Sequence, residues 1–413
     1  MTESYRIAGI DVHKSMLAVV VCDVAQGGDF HFERRKFGAL DSDLKALSQW
    51  LRELEVKEAV MESTAQYWKP VWRQLEGQCE LHLAQAKSNR APRGRKRDFA
   101  DAERLVRRHV AGELILSFVP DPEQRLWRTI TRTKYQLTRD RVRLQNQLES
   151  LLEDSHLKLD TCVSDLLGVS SRRILRAIAD GEGDIKVLTA LVDVNLKASA
   201  EQLADALSGL ADWGPLHRQI LKLFLDRLDL IEKQIQILDR QIATALGQHR
   251  LAVVRLAAVP GFGIDSAHQV IAEIGPSAAS FPSPQHLASW VGVCPGREES
   301  AEVSKSNRSP KGNCMMRRIL NQVANAAVKS KGSIFQLHYQ RMVVRMGHKK
   351  AIWAIAHRLC KLAWTILFRG VDYIEYGAQR SAQSLKRRTT KQIRQLRALG
   401  YQIISPTSQE DLA

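Results

Sequence analysis

Short apolar runs alternate with stretches of helical spacing over the first 84 residues of this chain. The β-rich runs show period-two alternation or continuous apolar character, and the helical stretches place apolar residues three and four apart. The first two β-rich runs are separated only by a turn-like segment at 12–15. The pattern predicts, in order, strand 5–11, strand 16–23, strand 30–37, helix 40–54, strand 59–62, helix 67–75 and strand 80–84.

The order of these elements narrows the fold class. Three strands in a row, followed by helix, strand, helix and strand, are typical of a ribonuclease-H-like α/β domain. A plain doubly wound domain would place a helix between its first two strands. We expect this domain to span residues 1–120, because Pro120 and Pro122 flank Asp121 and mark a boundary.

Helical spacing dominates the predicted middle region, residues 121–250. A long helix is predicted over 123–154, and a second begins near Pro215. The apolar positions of the second step mainly by three and four, as in a coiled-coil seam: Ile220, Phe224, Leu228, Ile231, Ile235, Leu238 and Ile242. The two helices could pack antiparallel within one chain or across a dimer, since this periodicity does not fix the number of chains.

For the remainder of the chain, the sequence pattern predicts a mostly α-helical domain over 251–380 and a basic tail over 381–413. The sequence VPGFG at 259–263 precedes a predicted helix at 264–274 and resembles a helix–hairpin–helix. Such a turn can offer backbone N–H groups to a phosphate at a helix N-terminus. The apolar stretch at 351–368 contains His357, Arg358 and Lys361, so it predicts a buried helix and not a membrane span.

Charge indicates a nucleic-acid partner. Lys and Arg number 61 against 45 Asp and Glu, which gives a formal net charge of +16. Fourteen of the basic residues fall in 303–371, where no Asp or Glu occurs, and six more fall in 87–97. Such surfaces bind polyanions because each neutralised phosphate releases counterions. From these two segments we predict the following nucleic-acid contacts: Arg93, Arg95, Lys96, Arg97, Lys305, Arg308, Lys311, Arg317 and Arg318.

Cysteine usage and the N-terminus indicate a cytoplasmic protein. The six cysteines are far apart and lack metal-binding spacing, so we expect reduced, mostly buried thiols. The N-terminus is polar and lacks the apolar core of a signal peptide. We therefore expect no membrane partner.

Four carboxylates occur where an α/β fold builds sites. Asp11 and Glu62 each end an apolar strand, and neighbouring parallel strands end at the same edge of a sheet. Asp98 and Asp101 lie three apart at a predicted helix start, on one helical face. Four oxygen donors suit Mg²⁺ or Mn²⁺, which can clamp the oxygens of a phosphodiester. By contrast, Glu58, Glu103 and Asp23 are expected to face solvent.

These residues lie within motifs that resemble the IS110 family of transposases and the related Piv-type DNA invertases. The N-terminal motifs resemble its RuvC-like DEDD domain, and the C-terminal ones its transposase domain: GIDVHK at 9–14, ESTAQYW at 62–68, KRDFADA at 96–102, VPGFG at 259–263, LASWVGVCP at 287–295, Ser300 and SPKGN at 309–313. Ala65 and Ala301 stand where many members of the family have glycine.

The resemblance implies a recombinase in which a serine, here Ser300, attacks the DNA phosphate and forms a covalent link. Ser304, Ser306 and Ser309 are alternatives in the same segment. It also implies a structured noncoding guide (bridge) RNA that pairs with donor and target double-stranded DNA. Recombination of two duplexes needs four strand cleavages, which favours a homodimer that assembles to a tetramer.

Other functions stay open at this point. A Piv-like invertase would use the same chemistry. A RuvC-like junction resolvase would use the four carboxylates and water without a covalent step, which would leave the serine segment without a role. A non-catalytic nucleic-acid-binding protein would not need all four carboxylates.

Overall fold

A computed structural model describes residues 5–376, except 25–29, 64, 86–87, 90–97, 193–197, 296–297, 301–302 and 307–308, and also residues 390 and 394. For 298–300 and 303–306 it describes the backbone alone. The chain forms two compact units, Met1–Pro120 and Asp121–Ala413, each of which is described by itself below. The predicted division into four segments stays a prediction.

The N-terminal unit contains a mixed five-stranded sheet, as the sequence predicts. Its strand order is β3-β2-β1-β4-β5, with β1, β2 and β3 antiparallel and β1, β4 and β5 parallel. This is the ribonuclease-H-like arrangement of three meandering strands followed by parallel ones. The strands are β1 Tyr5–Val12, β2 Met16–Val24, β3 Glu33–Gly38, β4 Val56–Ser63 and β5 Glu80–Leu83.

Helices cover both faces of this sheet, which explains why its central strands are almost continuously apolar. The helices are α1 Asp41–Glu53, α2 Trp68–Leu75 and α3 Asp98–Val110. On one face, Ile10 and Met61 share an apolar core with residues of α1 and α2. On the other, Ile7 and Val60 pack with Ala102, Leu105 and Val106 of α3.

Gly9 allows α3 to lie directly on β1. A Cβ atom at this position would collide with the backbone carbonyl oxygen of Ala102 and would lie 2.7 Å from Cγ2 of Val106. Because the obstacle is helix backbone, no side-chain rotation can relieve it. The glycine therefore sets the distance between the sheet and the helix that carries Asp98 and Asp101.

We expect Gly9→Ala to push α3 away from the sheet. Overpacking of this kind costs about 1–3 kcal/mol of stability, and a 1 Å displacement of catalytic groups can cost roughly 10²-fold in rate. The variant should therefore show a lower Tm and a larger loss in the DNA cleavage that the family resemblance implies. Gly247→Ala is the matched control, because a Cβ there has nothing within 4 Å. Cleavage at the wild-type rate by Gly9→Ala would show that the short distance between α3 and β1 is not needed for activity.

The second unit is largely helical. Its helices are α4 Pro122–Asp154, α5 Leu159–Cys162, α6 Val169–Ala179, α7 Ile185–Ala190, α8 Ala200–Ala206, α9 Pro215–Ala245, α10 Arg250–Ala257, α11 Ile264–Ile274, α12 Pro284–Val291, α13 Cys314–Ala327 and α14 Ile334–Arg369. Short 3₁₀ turns lie at Ser208–Asp212 and Gly247–His249. A two-stranded hairpin, β6 Glu298–Ser300 and β7 Val303–Ser306, separates α12 from α13.

The long helices α4 and α9 pack antiparallel within the chain. Lys134 contacts Asp239, and Arg141 donates to Glu232 at 2.8 Å, so positions advance on one helix as they recede on the other. Ile231 is 5% exposed, inside the core that α4, α6 and α9 share. Of the two arrangements that the sequence left open, this is the intramolecular one. The buried residues of the seam therefore contact the same chain.

Helix α14 contains the apolar stretch of the C-terminal region. It is long and apolar enough to cross a membrane, but 56% of its apolar window is buried inside the protein. Trp364, for example, is 6% exposed, and its indole nitrogen donates to the Phe281 carbonyl at 2.8 Å. This confirms the predicted buried helix at 351–368. The helix breaks at Gly347, where φ is 76°.

Candidate active site

Asp11 and Glu62 lie side by side at one edge of the N-terminal sheet. They are directly paired in the parallel register of β1 and β4, one residue before each strand ends. Because the carboxyl ends of parallel strands meet at one edge, both residues are placed at the mouth of the sheet. The structure thus brings together the first two predicted carboxylates.

The N-terminus of α3 brings Asp98 to the same edge. His13, in the turn after β1, connects the two elements: its Nε2 lies 3.1 Å from Asp11 Oδ2 and 3.8 Å from Asp98 Oδ1. Potential ligand atoms of Asp11, His13 and Asp98 all lie within 4.8 Å of one another. Lys36 of β3 lies 3.5 Å from the other oxygen of Asp98.

Asp101 joins the cluster through a chain of hydrogen bonds. Asn89 donates to Glu62 Oε2 at 2.5 Å, and its own side-chain oxygen accepts from Arg104 Nε at 3.3 Å. Arg104 also pairs with Asp101, one helical turn earlier on α3. Glu62 and Asp101 are therefore held by one shared set of polar groups.

The local electrostatics favour binding of a cation. Burial raises the pKa of Asp11; the nearby His13 opposes this, and the charges of Asp101 and Glu62 add to it. A carboxyl whose pKa rises on folding lowers the stability of the protein once it ionises. A divalent cation would offset this cost, and the all-carboxylate donor set fits a hard ion such as Mg²⁺ or Mn²⁺.

Ser300 lies in the second unit, at the end of β6. Ser300 is the last residue of β6 and pairs with Val303, the first residue of β7. Ser304 pairs with Glu299, and Ser306 pairs with Glu298. The backbone thus distinguishes Ser300 from both neighbours in β7.

Comparison with known proteins agrees with this combination of elements. A family model described as "Transposase", for the DEDD domain of IS110-type elements, matches residues 8–157, and one described as "Transposase IS116/IS110/IS902 family" matches 254–340. The chain belongs to the IS110/IS900 family of transposases. It is thus a DNA phosphoryl-transfer enzyme, and its DEDD domain implies a divalent metal.

Individual relatives share moderate identity with this transposase. A "Probable family 20 transposase" of Pseudomonas aeruginosa is 26% identical over 317 residues, which cover 75% of this chain and 83% of that protein. An IS110 43.6 kDa protein of Streptomyces coelicolor is 27% identical over 148 residues, which cover 35% of this chain and 36% of that protein. An IS900 42 kDa protein of Mycobacterium paratuberculosis is 24% identical over 173 residues, which cover 41% of this chain and 43% of that protein.

Three side chains at the transposase's carboxylate cluster were not predicted as site residues. These are His13, Asn89 and Arg104. His13 could have been found from its place two residues after Asp11, in the turn that ends at β2. Arg104 could have been found because it lies one turn after Asp101 on the same helical face. Asn89 follows the sheet in an irregular segment, where its sequence carries no such signal.

The expected solvent exposure of three other carboxylates was partly wrong. Asp23 is exposed, with 56% of its side chain accessible, as predicted. Glu103 is only 17% accessible and pairs with Arg34, because α3 lies lengthwise over the sheet. Glu58 is 25% accessible and contacts His109 at 3.2 Å. Spacing along the chain does not show which carboxylates a crossing helix will cover.

Ala65 adopts a conformation that favours glycine. Its φ is 55°, in the left-handed region, where a Cβ atom adds strain. This residue follows the strand that carries Glu62, in the turn before α2. The geometry accounts for the glycine that many family members have at this position.

The predicted nucleic-acid contacts of the transposase fall into three groups. Arg93, Arg95, Lys96, Arg97 and Arg308 lie outside the described residues, as does nearly all of the tail at 381–413. Lys305 lies in β7, where only the backbone is described, and Lys311 is exposed. Arg317 donates to the carbonyls of Gly292 and Pro310 and stacks over Trp353, with Cζ 4.6 Å from the ring centroid.

Arg318 likewise has intramolecular partners. Its guanidinium donates to Gln269 and Gln322 and lies 4.0 Å from the centroid of the Tyr135 ring. These contacts favour a positioning role for Arg317 and Arg318; as DNA or RNA contacts they stay predictions. The first half of α14 has exposed cations that were not among the predicted contacts: Arg345, Lys349 and Lys350.

A buried carboxylate contacts the segment that follows the β6–β7 hairpin. Glu273 of α11 is 1% exposed. Its two carboxylate oxygens accept hydrogen bonds from Nε and Nη2 of Arg132, at 2.8 and 2.9 Å. It also accepts from Asn313 at 3.0 Å, and Asn313 caps α13. Burial lowers the pKa of Arg128 to about 10, while Glu273 nearby opposes that change. Glu273 thereby fixes the start of α13 to α4 and α11.

Glu273→Gln should destabilise the C-terminal unit. It leaves two arginines beside a neutral amide, and breaking a buried ion pair typically costs about 3–5 kcal/mol. Chemical denaturation followed by circular dichroism would measure the change. Glu149→Gln on the exposed side of α4 is the control and should have a small effect. Equal stability of the two variants would contradict the assigned role of Glu273.

Proposed function

We propose that this transposase cuts and rejoins DNA through Ser300, with Asp11, Glu62, Asp98 and Asp101 holding Mg²⁺ or Mn²⁺. The observation that supports it best is the register of β1 and β4, which sets Asp11 beside Glu62. The start of α3 adds Asp98 at the same edge. Carboxylates so close to one another are costly unless a cation or a basic group offsets their charge.

Each part of the chain has a chemical role in this proposal. The Ser300 hydroxyl attacks the DNA phosphorus, so a serine–phosphate ester forms and a sugar hydroxyl leaves. A hydroxyl from the second DNA end then reverses the exchange, which restores the phosphodiester and frees the serine. When bound, the divalent cation supplies activation of the hydroxyl and neutralisation of phosphate charge. His13, Lys36 and Arg104 orient the carboxylates that hold it.

Metal dependence is the first test of this proposal. Supercoiled donor DNA would be incubated with the transposase in Mg²⁺, in Mn²⁺ and in EDTA, and strand cleavage would be measured on denaturing gels. Cleavage is expected in both metals and is expected to be absent in EDTA. Equal cleavage in EDTA would contradict a metal-dependent carboxylate site.

We further propose that the transposase binds a structured guide RNA and both donor and target DNA. The charge of +16 and the exposed Lys311, Arg345, Lys349 and Lys350 supply positive surface for more than one polyanion. RNA would be sequenced after purification of the transposase from cells that contain its whole element. A single enriched RNA from the element supports guidance, whereas random cellular RNA would indicate general affinity for polyanions. We expect this assembly in the cytoplasm.

For assembly we propose a homodimer that pairs into a tetramer. Because the predicted seam of α9 packs within its own chain, we propose that the dimer contacts use surfaces other than this seam. Mixing Asp11→Ala chains with Ser300→Ala chains tests whether two subunits contribute to one reaction. Partial recovery of cleavage supports shared sites. Inactive mixed oligomers would mean that each chain completes its own site.

A further inference from the structure

A second cluster of metal-ligating side chains lies in the N-terminal unit, outside the DEDD site. It comprises Glu58 of β4, His82 of β5 and His109 in the last turn of α3. Glu58 Oε2 lies 3.2 Å from His109 Nε2 and 3.9 Å from His82 Nε2. All three ligand atoms fall within 4.8 Å of one another. The side chains are 25%, 17% and 14% exposed, so solvent reaches them only in part.

The cluster and the DEDD site lie at opposite ends of α3. Glu58 and Glu62 are on the same face of β4, separated by about 13 Å of strand. His109 follows Asp101 by eight residues, about 12 Å of helix. Between the two ends, Leu105 and Val106 pack on the apolar part of that face. One helix therefore connects two separate polar clusters.

The two histidines of this cluster also contact each other. The centroids of their imidazole rings are 4.5 Å apart, so protonating both would place like charges together. Burial lowers the pKa of His82, and the neighbouring His109 adds to the effect, while Glu80 and Glu58 oppose it. A neutral His82 imidazole beside the Glu58 carboxylate is in the protonation state that a metal ion requires.

We propose that Glu58, His82 and His109 bind a Zn²⁺-type transition-metal ion. Two imidazoles and one carboxylate form a donor set that Zn²⁺ accepts, with ligand bonds of about 2.0–2.2 Å. Ligands of a tetrahedral ion with such bonds are about 3.3 Å apart, close to the 3.2 Å between Glu58 and His109. Glu80 Oε1 lies 3.6 Å from His82 Nε2 but outside this three-residue group.

Metal bound here would tie the end of α3 to β4 and β5. Because the other end of α3 carries Asp98 and Asp101, the ion would stabilise the helix on which the DEDD site depends. The two sites would also select different ions. Carboxylate oxygens favour Mg²⁺ and Mn²⁺, whereas imidazole nitrogen favours Zn²⁺ and its neighbours in the transition series.

Zn²⁺ titration of the full chain tests this proposal. The Asp11→Asn background disables the carboxylate site, and excess Mg²⁺ suppresses weak oxygen sites. Calorimetric titration with zinc chloride should then show one tight equivalent per chain. His109→Gln or Glu58→Gln should weaken that binding at least tenfold, and His31→Gln, at an exposed histidine, should not. Undiminished Zn²⁺ affinity in folded His109→Gln and Glu58→Gln would overturn the proposal.

Co²⁺ provides a second measurement that does not depend on the folding of those variants. In the Asp11→Asn chain, Co²⁺ should give visible ligand-field absorption without the near-ultraviolet band of thiolate ligation. Zn²⁺ should remove that absorption at one equivalent. A thiolate band would assign the ion to the free cysteines, and no absorption would mean that the cluster holds no metal; either result contradicts the proposal.

Discussion

Asp11→Asn should reduce DNA cleavage by about 10²–10³-fold, as expected when a group that stabilises the transition state is lost. Asp11 lies between Glu62 in the sheet register and His13 in the following turn. Asparagine keeps the shape of the side chain but removes the charge that would hold a divalent cation. Binding of DNA and RNA should persist, because it depends on the basic surfaces. Cleavage on denaturing gels and binding by mobility shift would separate the two effects.

The same substitution should raise the thermal stability of the metal-free protein. Burial raises the pKa of Asp11, so the metal-free native state becomes less stable as pH rises from the unfolded pKa through the folded pKa. At neutral pH in EDTA, Asp11→Asn should therefore melt at a higher temperature than the wild type. Asp23→Asn, at an exposed carboxylate on β2, is the control and should cleave normally. Normal cleavage by Asp11→Asn would remove this residue from the active site.

Ser300→Ala should abolish both cleavage and the covalent protein–DNA intermediate. Removing a nucleophile costs roughly 10⁴-fold or more where no other group can replace it. The substitution deletes one oxygen at the end of a short strand, so the fold should be unaffected. Ser304→Ala and Ser306→Ala are matched controls within the same hairpin, and both should form the intermediate. Persistent cleavage by Ser300→Ala would show that water or another serine attacks the phosphate.

The sequence predicted the N-terminal fold well because its signals are local. Apolar runs mark β1, β2 and β4, and the carboxylates follow from where β1 and β4 end. The strand predicted at 30–37 is shorter, at Glu33–Gly38, because Phe30 and Phe32 instead pack with α3 residues and Tyr5. Element boundaries depend on such long-range contacts, which the local pattern does not contain.

Other features depend on contacts between distant parts of the chain. The α9 seam looked suited to a partner, yet α4 lies against it from about ninety residues earlier. Arg317 and Arg318 stay predicted nucleic-acid contacts, and the local sequence does not show that they also contact backbone carbonyls, Gln269 and aromatic rings within the chain. Glu58 and His109 are 51 residues apart and meet only because α3 crosses the sheet. The sequence shows which of these residues are charged or apolar, but it does not show which distant residues they contact.

The identity of the serine that becomes linked to DNA tests the central claim most directly. Wild-type transposase would be incubated with labelled donor DNA in Mg²⁺, stopped with SDS, digested with protease and nuclease, and analysed by mass spectrometry. We predict an SDS-resistant adduct, absent from Asp11→Asn and Ser300→Ala, with the phosphate on Ser300. Cleavage without any adduct, or a phosphate on a different serine, would contradict the account.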